Sequence, residues 1–283
     1  MKKAPKQYEV LKWASLFLEK HNREPNVAEI LLMHYLNVSR SRFYMMMRDP
    51  IPANTLASFE AAILEHVEAG IPVQHLTGYE MFYGRKFQVN KNVLIPRPET
   101  EELVQHVIET VGQQPVNIVD VGTGSGIIAI TLALELPQAT VYATDISKTA
   151  LLIAKKNAEQ LQANITFLEG DFLQPVIDAD IHADVIVSNP PYIARSEEVL
   201  LSDTVKNFDP ALALFADDNG LAAYRRIIEQ SKQVIRTHAM FAFEIGYTQG
   251  EAVCSLIKHT YRASETKIIQ DINKKDRIVT AQF

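Results

Sequence analysis

The chain has 283 residues, 47% of them hydrophobic and 22% charged, enough for more than one domain and a sizeable core. Its formal net charge is −6 and its longest apolar runs fall far short of the ~18 residues a membrane span needs, so neither a membrane protein nor a basic polynucleotide binder is indicated. Cys254 is the only cysteine, which excludes an internal disulfide framework and fits a reducing cytoplasm. The eight His residues are scattered without ligand spacing, and no metal is expected. Met1-Lys2-Lys3 leads into polar residues rather than an apolar stretch, so no secretory signal is expected.

Residues 5–70 read as helices over 8–20, 27–36, 41–47 and 53–69, with apolar residues at helical spacing such as Leu56, Phe59, Ile63 and Val67. The run Met45-Met46-Met47 beside Phe43 and Tyr44 reads as an adaptable binding surface or, more simply, as part of a small-domain core. Residues 1–75 carry nine Lys and Arg against eight Asp and Glu, a net charge of +1, and the remainder carries −7. Next, Tyr83-Gly84-Arg85-Lys86 between Glu80-Met81-Phe82 and Phe87-Gln88-Val89 has the pattern of a β-hairpin. Pro96-Arg97-Pro98 then leads to a helix beginning at Glu99.

From there strands and helices alternate. A strand over 116–121 is followed by Gly122-Thr123-Gly124-Ser125-Gly126 and an apolar helix over 127–134, the opening unit of a nucleotide-type βαβ fold. The place of a dinucleotide fingerprint's third glycine is taken by Ile127, which argues against NAD. The spacing suits a ligand passing close over a backbone that has no room for Cβ atoms. A second strand, 139–144, ends in Asp145, placed to accept from both hydroxyls of a ribose. A third, 164–168, ends in Glu169-Gly170-Asp171-Phe172. There Asp171 can accept from an adenine amino group while Phe172 lies against the ring. Alone, each has a plainer reading, since an acidic residue after a strand is usually a helix cap. Together they point to S-adenosylmethionine, held by Gly122, Thr123, Gly124, Ser125, Gly126, Asp145, Asp171 and Phe172, with Asn189 near its methyl end.

The fourth strand, 185–188, ends in Asn189-Pro190-Pro191-Tyr192. The two prolines stop it, because neither can donate to a ladder and each fixes its own φ. The tetrapeptide offers a side-chain amide, carbonyls without competing N–H groups and an aromatic face. That set suits a flat –NH2 group: the Asn189 side-chain oxygen and the Pro190 carbonyl accept its two hydrogens, and Tyr192 packs on its plane. The plainer alternative is a Pro-rich loop with Asn as a turn former. Asn189, Pro190 and Tyr192 are therefore the candidate catalytic residues, with Pro191 completing the substrate pocket. Arg97 and Glu99 either border that pocket or pair with each other. The last elements are a strand over 240–244, a helix over 249–259 and strands over 267–270 and 277–281.

These motifs resemble the release-factor glutamine methyltransferases, the HemK/PrmC family, which methylate the side-chain amide of the Gln in the Gly-Gly-Gln loop of class-1 peptide release factors. The resemblance rests on Pro72-Val73-Gln74-His75-Leu76-Thr77-Gly78, Phe82-Tyr83-Gly84 and Val93-Leu94-Ile95-Pro96-Arg97-Pro98-Glu99-Thr100-Glu101. It also takes in Asp120–Gly126, Ala143-Thr144-Asp145-Ile146-Ser147 and Glu244-Ile245-Gly246. Two places depart from the family's pattern. Asp209-Pro210 stands where a Glu-Pro pair is usual, and the stretch from Asp271 to Arg277 lacks a customary Gly. The resemblance implies an α/β, seven-stranded Rossmann-like methyltransferase fold with a final antiparallel pair. It divides the chain into a helical substrate-recognition domain at 1–75, a β-hairpin linker at 76–98 and a catalytic domain at 99–283. It further implies S-adenosylmethionine as donor, S-adenosylhomocysteine as product, class-1 release factors as partners, no nucleic acid or membrane, and a cytoplasmic monomer.

Two other readings stand beside it. One is a DNA or RNA amino-methyltransferase using the same loop on a flipped adenine or guanine; the acidic catalytic part speaks against it, because phosphate contacts need basic surface. The other is a non-catalytic scaffold that binds the methyl donor, for which an amide clamp has no use.

Overall fold

The computed structural model describes residues 4–283; Met1-Lys2-Lys3, which carry the expectation of no secretory signal, lie outside the described residues. Two compact units emerge. One is residues 4–78 together with Ser202–Phe208, and the other joins Tyr79–Leu201 to Asp209–Phe283.

The first unit is helical: Gln7–Lys20, Val27–Leu36, Arg40–Met45, Ala53–Ala69, Val73–Thr77 and, from far along the chain, Asp203–Phe208. Ala14, Leu18, Leu31, Leu32, Phe43, Phe59 and Ile63 are fully buried at its centre. Ser39 caps Arg40–Met45 by accepting from the Arg42 N–H, and Gly70, at φ +73°, ends Ala53–Ala69 in the left-handed conformation that favours glycine. The methionine run divides: Met47 packs against the core while Met45 is 80% exposed. Phe43 is core, so only Tyr44 of the neighbouring aromatic pair reaches the surface.

The second unit has strands β1 (Tyr79–Phe82), β2 (Arg85–Gln88), β3 (Asn117–Val121), β4 (Thr140–Asp145), β5 (Ile165–Glu169), β6 (Ala183–Ser188), β7 (Ile193–Ala194), β8 (Phe215–Ala216), β9 (Ile235–Glu244), β10 (Glu265–Gln270) and β11 (Asp276–Gln282). Seven of them form one sheet in the order β10-β11-β9-β6-β3-β4-β5. Its pairs are parallel except those of β11, which runs antiparallel to both β9 and β10. Both faces are covered, which is why the central strands read as continuous apolar runs rather than alternating ones. Along β6, Val185 and Val187 join a core with Leu103, Val107, Ile128 and Leu132, whereas Ile186 faces the opposite core of Tyr224, Ile227, Phe241 and Ile257. The strand expected at 240–244 is longer. It begins at Ile235, and its pairing with β6 slips between Ala183 and Val185, with His238 at φ +67°. Polar, exposed Arg236, Thr237 and His238 conceal that first half in the sequence.

Strands β1 and β2 form the hairpin, turning on Tyr83 and Gly84, both at positive φ, the geometry that matches the twist of a two-residue hairpin. Phe82 and Phe87 root it in the core, and one buried polar side chain ties it to the glycine loop. Asn157 accepts from the Gln88 N–H at 2.7 Å and donates both to the Gln88 carbonyl at 3.1 Å and to the Ser125 carbonyl at 2.8 Å. Hairpin and glycine loop thus share one anchor. Replacing it leaves buried backbone groups unpaired, so Asn157→Ala is expected to cost about 1–3 kcal/mol. Urea unfolding measures this, and an unchanged midpoint contradicts the anchoring role.

Candidate active site

The sheet reverses its direction of winding between β3 and β6, and open α/β sheets gather ligands in the crevice at the carboxyl ends beside such a point. A cavity of about 520 Å³ opens there, within the range of small-molecule sites.

One wall is the glycine loop. Gly122 and Thr123 donate their N–H groups to the Thr144 carbonyl at 2.9 Å, tying the loop to the end of β4. Gly122 and Gly124 have φ of +74° and +57°, line the cavity, and would direct a Cβ into open space. Glycine is required there by the backbone, and it leaves a bare cradle for a ligand. Gly126 differs: a Cβ would stand 2.8 Å from Ile130 Cδ1 and 3.2 Å from Ala154 Cβ. At φ +86° its backbone also favours glycine, and the space beside it is filled by the helix it caps and by Ala154 of the next rather than by a ligand; it does not line the cavity.

Asp145 projects from the end of β4 into the cavity, accepting from the Gly124 N–H at 2.9 Å and the Ser147 N–H at 2.8 Å. Burial raises its carboxyl while those two bonds pull it back. It is not the cap of the following helix, a role taken by Ser147, which accepts from the Ala150 N–H. Each Asp145 oxygen keeps a lone pair for a diol. Asp171 and Phe172 also line the cavity, Phe172 at φ +48°, with Asp171 paired to Arg226 at 3.3 Å. Thr123, Ser125, Ile127, Ile128, Ile146 and Ala150 complete this side. A bare cradle, a diol acceptor and apolar walls fit S-adenosylmethionine.

Across the cavity stands the end of β6. Asn189 and Pro191 line it; Pro190 is buried, and Tyr192 lies outside the lining. Asn189 Nδ2 faces Thr100 Oγ1 at 3.3 Å, and Thr100 donates to Glu244 Oε2 at 2.6 Å. Glu244, at the end of β9, is buried, which pushes its carboxyl up to about 7 against the pull of Thr100 and Arg277. Burial, and then the charge of Glu244, pushes the Tyr192 phenol up to about 12, so it stays neutral.

Arg97 lines the cavity, but its partner is Asp209 at 2.6 Å, not Glu99. The unusual Asp209-Pro210 is therefore the place where the chain beyond the amide loop is tied to the start of the Glu99–Val111 helix. Glu99 is half-buried, does not line the cavity, and lies within electrostatic reach of Tyr192 and Glu244. Gln249 clamps the far end of the loop. Its Nε2 donates to the Tyr192 carbonyl at 2.9 Å while its Oε1 accepts from the Gly246 N–H at 3.0 Å. Gly220, at φ +83°, passes so close that a Cβ would sit 2.1 Å from that same carbonyl.

Known proteins point the same way. A family model described as the PrmC N-terminal domain matches residues 9–78, and one described as the methyltransferase small domain matches residues 98–211. A release factor glutamine methyltransferase of Bacillus anthracis is 46% identical over 280 residues, covering 98% of this chain and 99% of that protein. This chain belongs to the release factor glutamine methyltransferase family. A second such enzyme, from Bacillus subtilis (strain 168), is 45% identical over 279 residues, 97% of this chain and 96% of that protein. Among solved structures, a methyltransferase from Pyrococcus furiosus superposes with a TM-score of 0.52 at 14% identity, covering 82% of this chain and 98% of that one. That likeness shows the fold: a seven-stranded methyltransferase sheet of the Rossmann-like kind.

Several members of this site escape sequence reasoning. Thr100 and Glu244 sit inside recognisable motifs, but nothing in the spacing couples them. Gln249 and Gly220 carry no local signal at all. Asp120 lies two positions before Gly122 and is fully buried, its Oδ2 accepting from Thr123 Oγ1 at 2.6 Å and the Ala129 N–H at 3.1 Å. Its Oδ1 is buried without a partner, and burial raises the carboxyl to about 7 despite the two bonds. A carboxyl raised on folding holds its proton more tightly in the native state. Its stabilising contribution is complete below the unfolded value near 4 and is lost as pH rises through about 7. Asp120→Asn removes that titration. Relative to wild type, the variant is expected to gain stability from about pH 4 to about pH 7 and stay level above. Denaturant midpoints across pH check this; a pH-independent difference contradicts it.

Proposed function

We propose that this enzyme transfers a methyl group from S-adenosylmethionine to the side-chain amide nitrogen of the Gln in the Gly-Gly-Gln loop of class-1 peptide chain release factors. The observation that carries the reading is the Asn189 amide at the cavity wall, its Nδ2 turned to Thr100, in a chain of this family.

Bound in the cavity, the donor supplies an electrophilic methyl group on a sulfonium. The protein must then overcome the weakness of a carboxamide nitrogen, whose lone pair is delocalised into its carbonyl. Asn189 Oδ1 and the Pro190 carbonyl accept the two amide hydrogens, turning the nitrogen so that its lone pair points along the line of transfer. Positioning of this kind is worth up to roughly 7–11 kcal/mol. As the nitrogen–methyl bond forms and the methyl–sulfur bond breaks, releasing S-adenosylhomocysteine, the same two oxygens stabilise the positive charge growing on nitrogen, and the surplus N–H proton passes to solvent water. Tyr192, neutral at working pH, serves as a wall for the flat amide. Gly122, Thr123, Gly124, Ser125, Asp145, Asp171 and Phe172 bind the donor, with Gly126 shaping their loop and Asn189 close to its methyl end. Pro191 and Arg97 border the substrate, and Glu99 contributes from behind through its charge.

We further assign recognition of the whole release factor to the helical residues 1–75, with 76–98 leading to the catalytic residues 99–283. Arg42, Tyr44, Met45 and Arg48 are exposed together on this unit, and one Gln in a flexible loop offers too little surface for the ~1,200 Å² that specific recognition usually buries. A cytoplasmic monomer without a nucleic-acid partner completes the reading. Its support is the lone, buried Cys254, the acidic charge of residues 76–283, and the absence among the described residues of any helix long and apolar enough to cross a membrane.

Labelled donor incubated with release factor, with its loop Gln→Ala variant and with DNA tests the reaction: only the first should take label, and label in DNA overturns it. Asn189→Ala should abolish transfer while donor affinity stays within about ten-fold, the worth of ~1.4 kcal/mol. Asp145→Ala should weaken the donor roughly ten- to a hundred-fold, the ~1.5–3 kcal/mol of hydrogen bonds to a charged acceptor, part of it through the freed Gly124 N–H. Calorimetry beside single-turnover rates separates the two, and matching losses in both quantities for either variant would reverse the assignment. At the helical surface, Arg42→Glu with Met45→Asp should raise KM for whole release factor about ten-fold, or ~1.4 kcal/mol. A short Gly-Gly-Gln peptide should be used as before, and equal losses on both substrates contradict the recognition role.

A further inference from the structure

A side-chain amide is nearly symmetrical in shape, and its two ends do opposite work: the oxygen accepts and the nitrogen donates. For Asn189 the difference is decisive, because a substrate –NH2 group needs an acceptor. An Asn189 turned by half a revolution would present hydrogens to hydrogens. Neither Pro190 nor Pro191 has an N–H with which to choose between the two orientations.

The choice is made by a neighbour on the same cavity wall, Thr100. Thr100 Oγ1 is buried between Asn189 Nδ2, at 3.3 Å, and Glu244 Oε2, at 2.6 Å. Above about pH 7 Glu244 is ionised and its oxygens can only accept, so the single hydroxyl proton of Thr100 is committed to it. What Thr100 turns toward Asn189 is therefore a lone pair, and only the NH2 end of the amide can meet it. Asn189 Oδ1 takes no hydrogen bond from the protein among the described residues, and the residue lines the cavity. Glu244 is fixed in turn. It closes β9, its backbone carbonyl accepts from Tyr224 at 2.7 Å, and it pairs across the sheet with Ile278 of β11. Thr100 and Glu244 lie 144 positions apart and come from a helix and a strand, so the arrangement is a product of the tertiary fold.

We infer that Thr100, committed as a donor to Glu244, is a positioning residue that sets the Asn189 amide with its oxygen toward the substrate. The inference rests on the amide-methylating reading above and deepens it: the site is made specific for a group that offers two hydrogens, and it repels one that offers lone pairs.

The test uses the full chain with release factor, above about pH 7 so that Glu244 is ionised. Thr100→Val keeps the shape and deletes the hydroxyl; Thr100→Ser keeps the hydroxyl and deletes a methyl. Thr100→Val is expected to lower the single-turnover rate roughly a hundred-fold, the scale of a misplaced reacting group, with donor affinity unchanged by calorimetry. Thr100→Ser is expected to restore most of that rate. A Thr100→Val enzyme as fast as wild type overturns the inference, as does equal loss in both variants, which would make side-chain shape the cause. A matching loss of donor affinity also overturns it, since Thr100 would then act on the donor's cavity or on the fold. If wild type itself transfers nothing to release factor, the amide-methylating reading has failed first. Wild-type transfer with an indifferent Thr100→Val sinks the inference alone.

Discussion

The interaction on which the rest of this molecule depends is the abrupt stop of β6 between two strands that end in buried carboxylates. Strand β6 runs between β3 and β9. Two prolines end it, while Asp120 near the end of β3 and Glu244 at the end of β9 are both buried and both held near neutrality's edge, at about 7. Burying a carboxyl costs unless its charge is paired or its oxygens are bonded. Here each has been set to organise a neighbouring loop: Asp120 gathers Thr123 and the Ala129 N–H around the glycine loop, and Glu244 accepts the hydrogen bond of the Thr100 hydroxyl.

From that arrangement follows a division of labour across one cavity. The β3 and β4 ends build a cradle whose glycines serve two different physical demands, positive φ at Gly122, Gly124 and Gly126 and, at Gly126 alone, close packing against Ile130 and Ala154. The β6 end builds a clamp from polar atoms with no mobile protons of their own, braced by Gln249, by the close pass of Gly220 and by the Arg97–Asp209 pair. Preorganisation of this kind places the energetic cost in folding, where the large apolar cores flanking the sheet can offset it, and not in the moment of reaction. The hairpin belongs to the same economy of parts, since the Asn157 that holds it also holds the Ser125 carbonyl of the glycine loop.

Much of this was legible in the amino-acid sequence because it is local. Helices such as Val27–Leu36 and Ala53–Ala69 announce themselves by spacing, the second also by the glycine that follows it, and the strands by apolar runs that stop at Gly, Asp or Pro. The residues that touch the cavity at strand ends, among them Asp145, Asp171 and Asn189, could be named because function concentrates there. Partnerships across the chain could not be. Arg97 lines the cavity, and its ion-pair partner is not Glu99 but Asp209, 112 positions away. Likewise, the return of Asp203–Phe208 to the helical unit and the polar first half of β9 depend on tertiary packing that overrides local pattern.

The central claim is that this fold turns a carboxamide nitrogen into a methyl acceptor. It is tested most directly by locating the transferred methyl group. Release factor treated with labelled S-adenosylmethionine and this enzyme, then digested and fragmented in a mass spectrometer, should carry one methyl group, on the side chain of the Gly-Gly-Gln glutamine. A methyl group on any other residue, or an unmodified glutamine after complete turnover of the donor, would contradict the account.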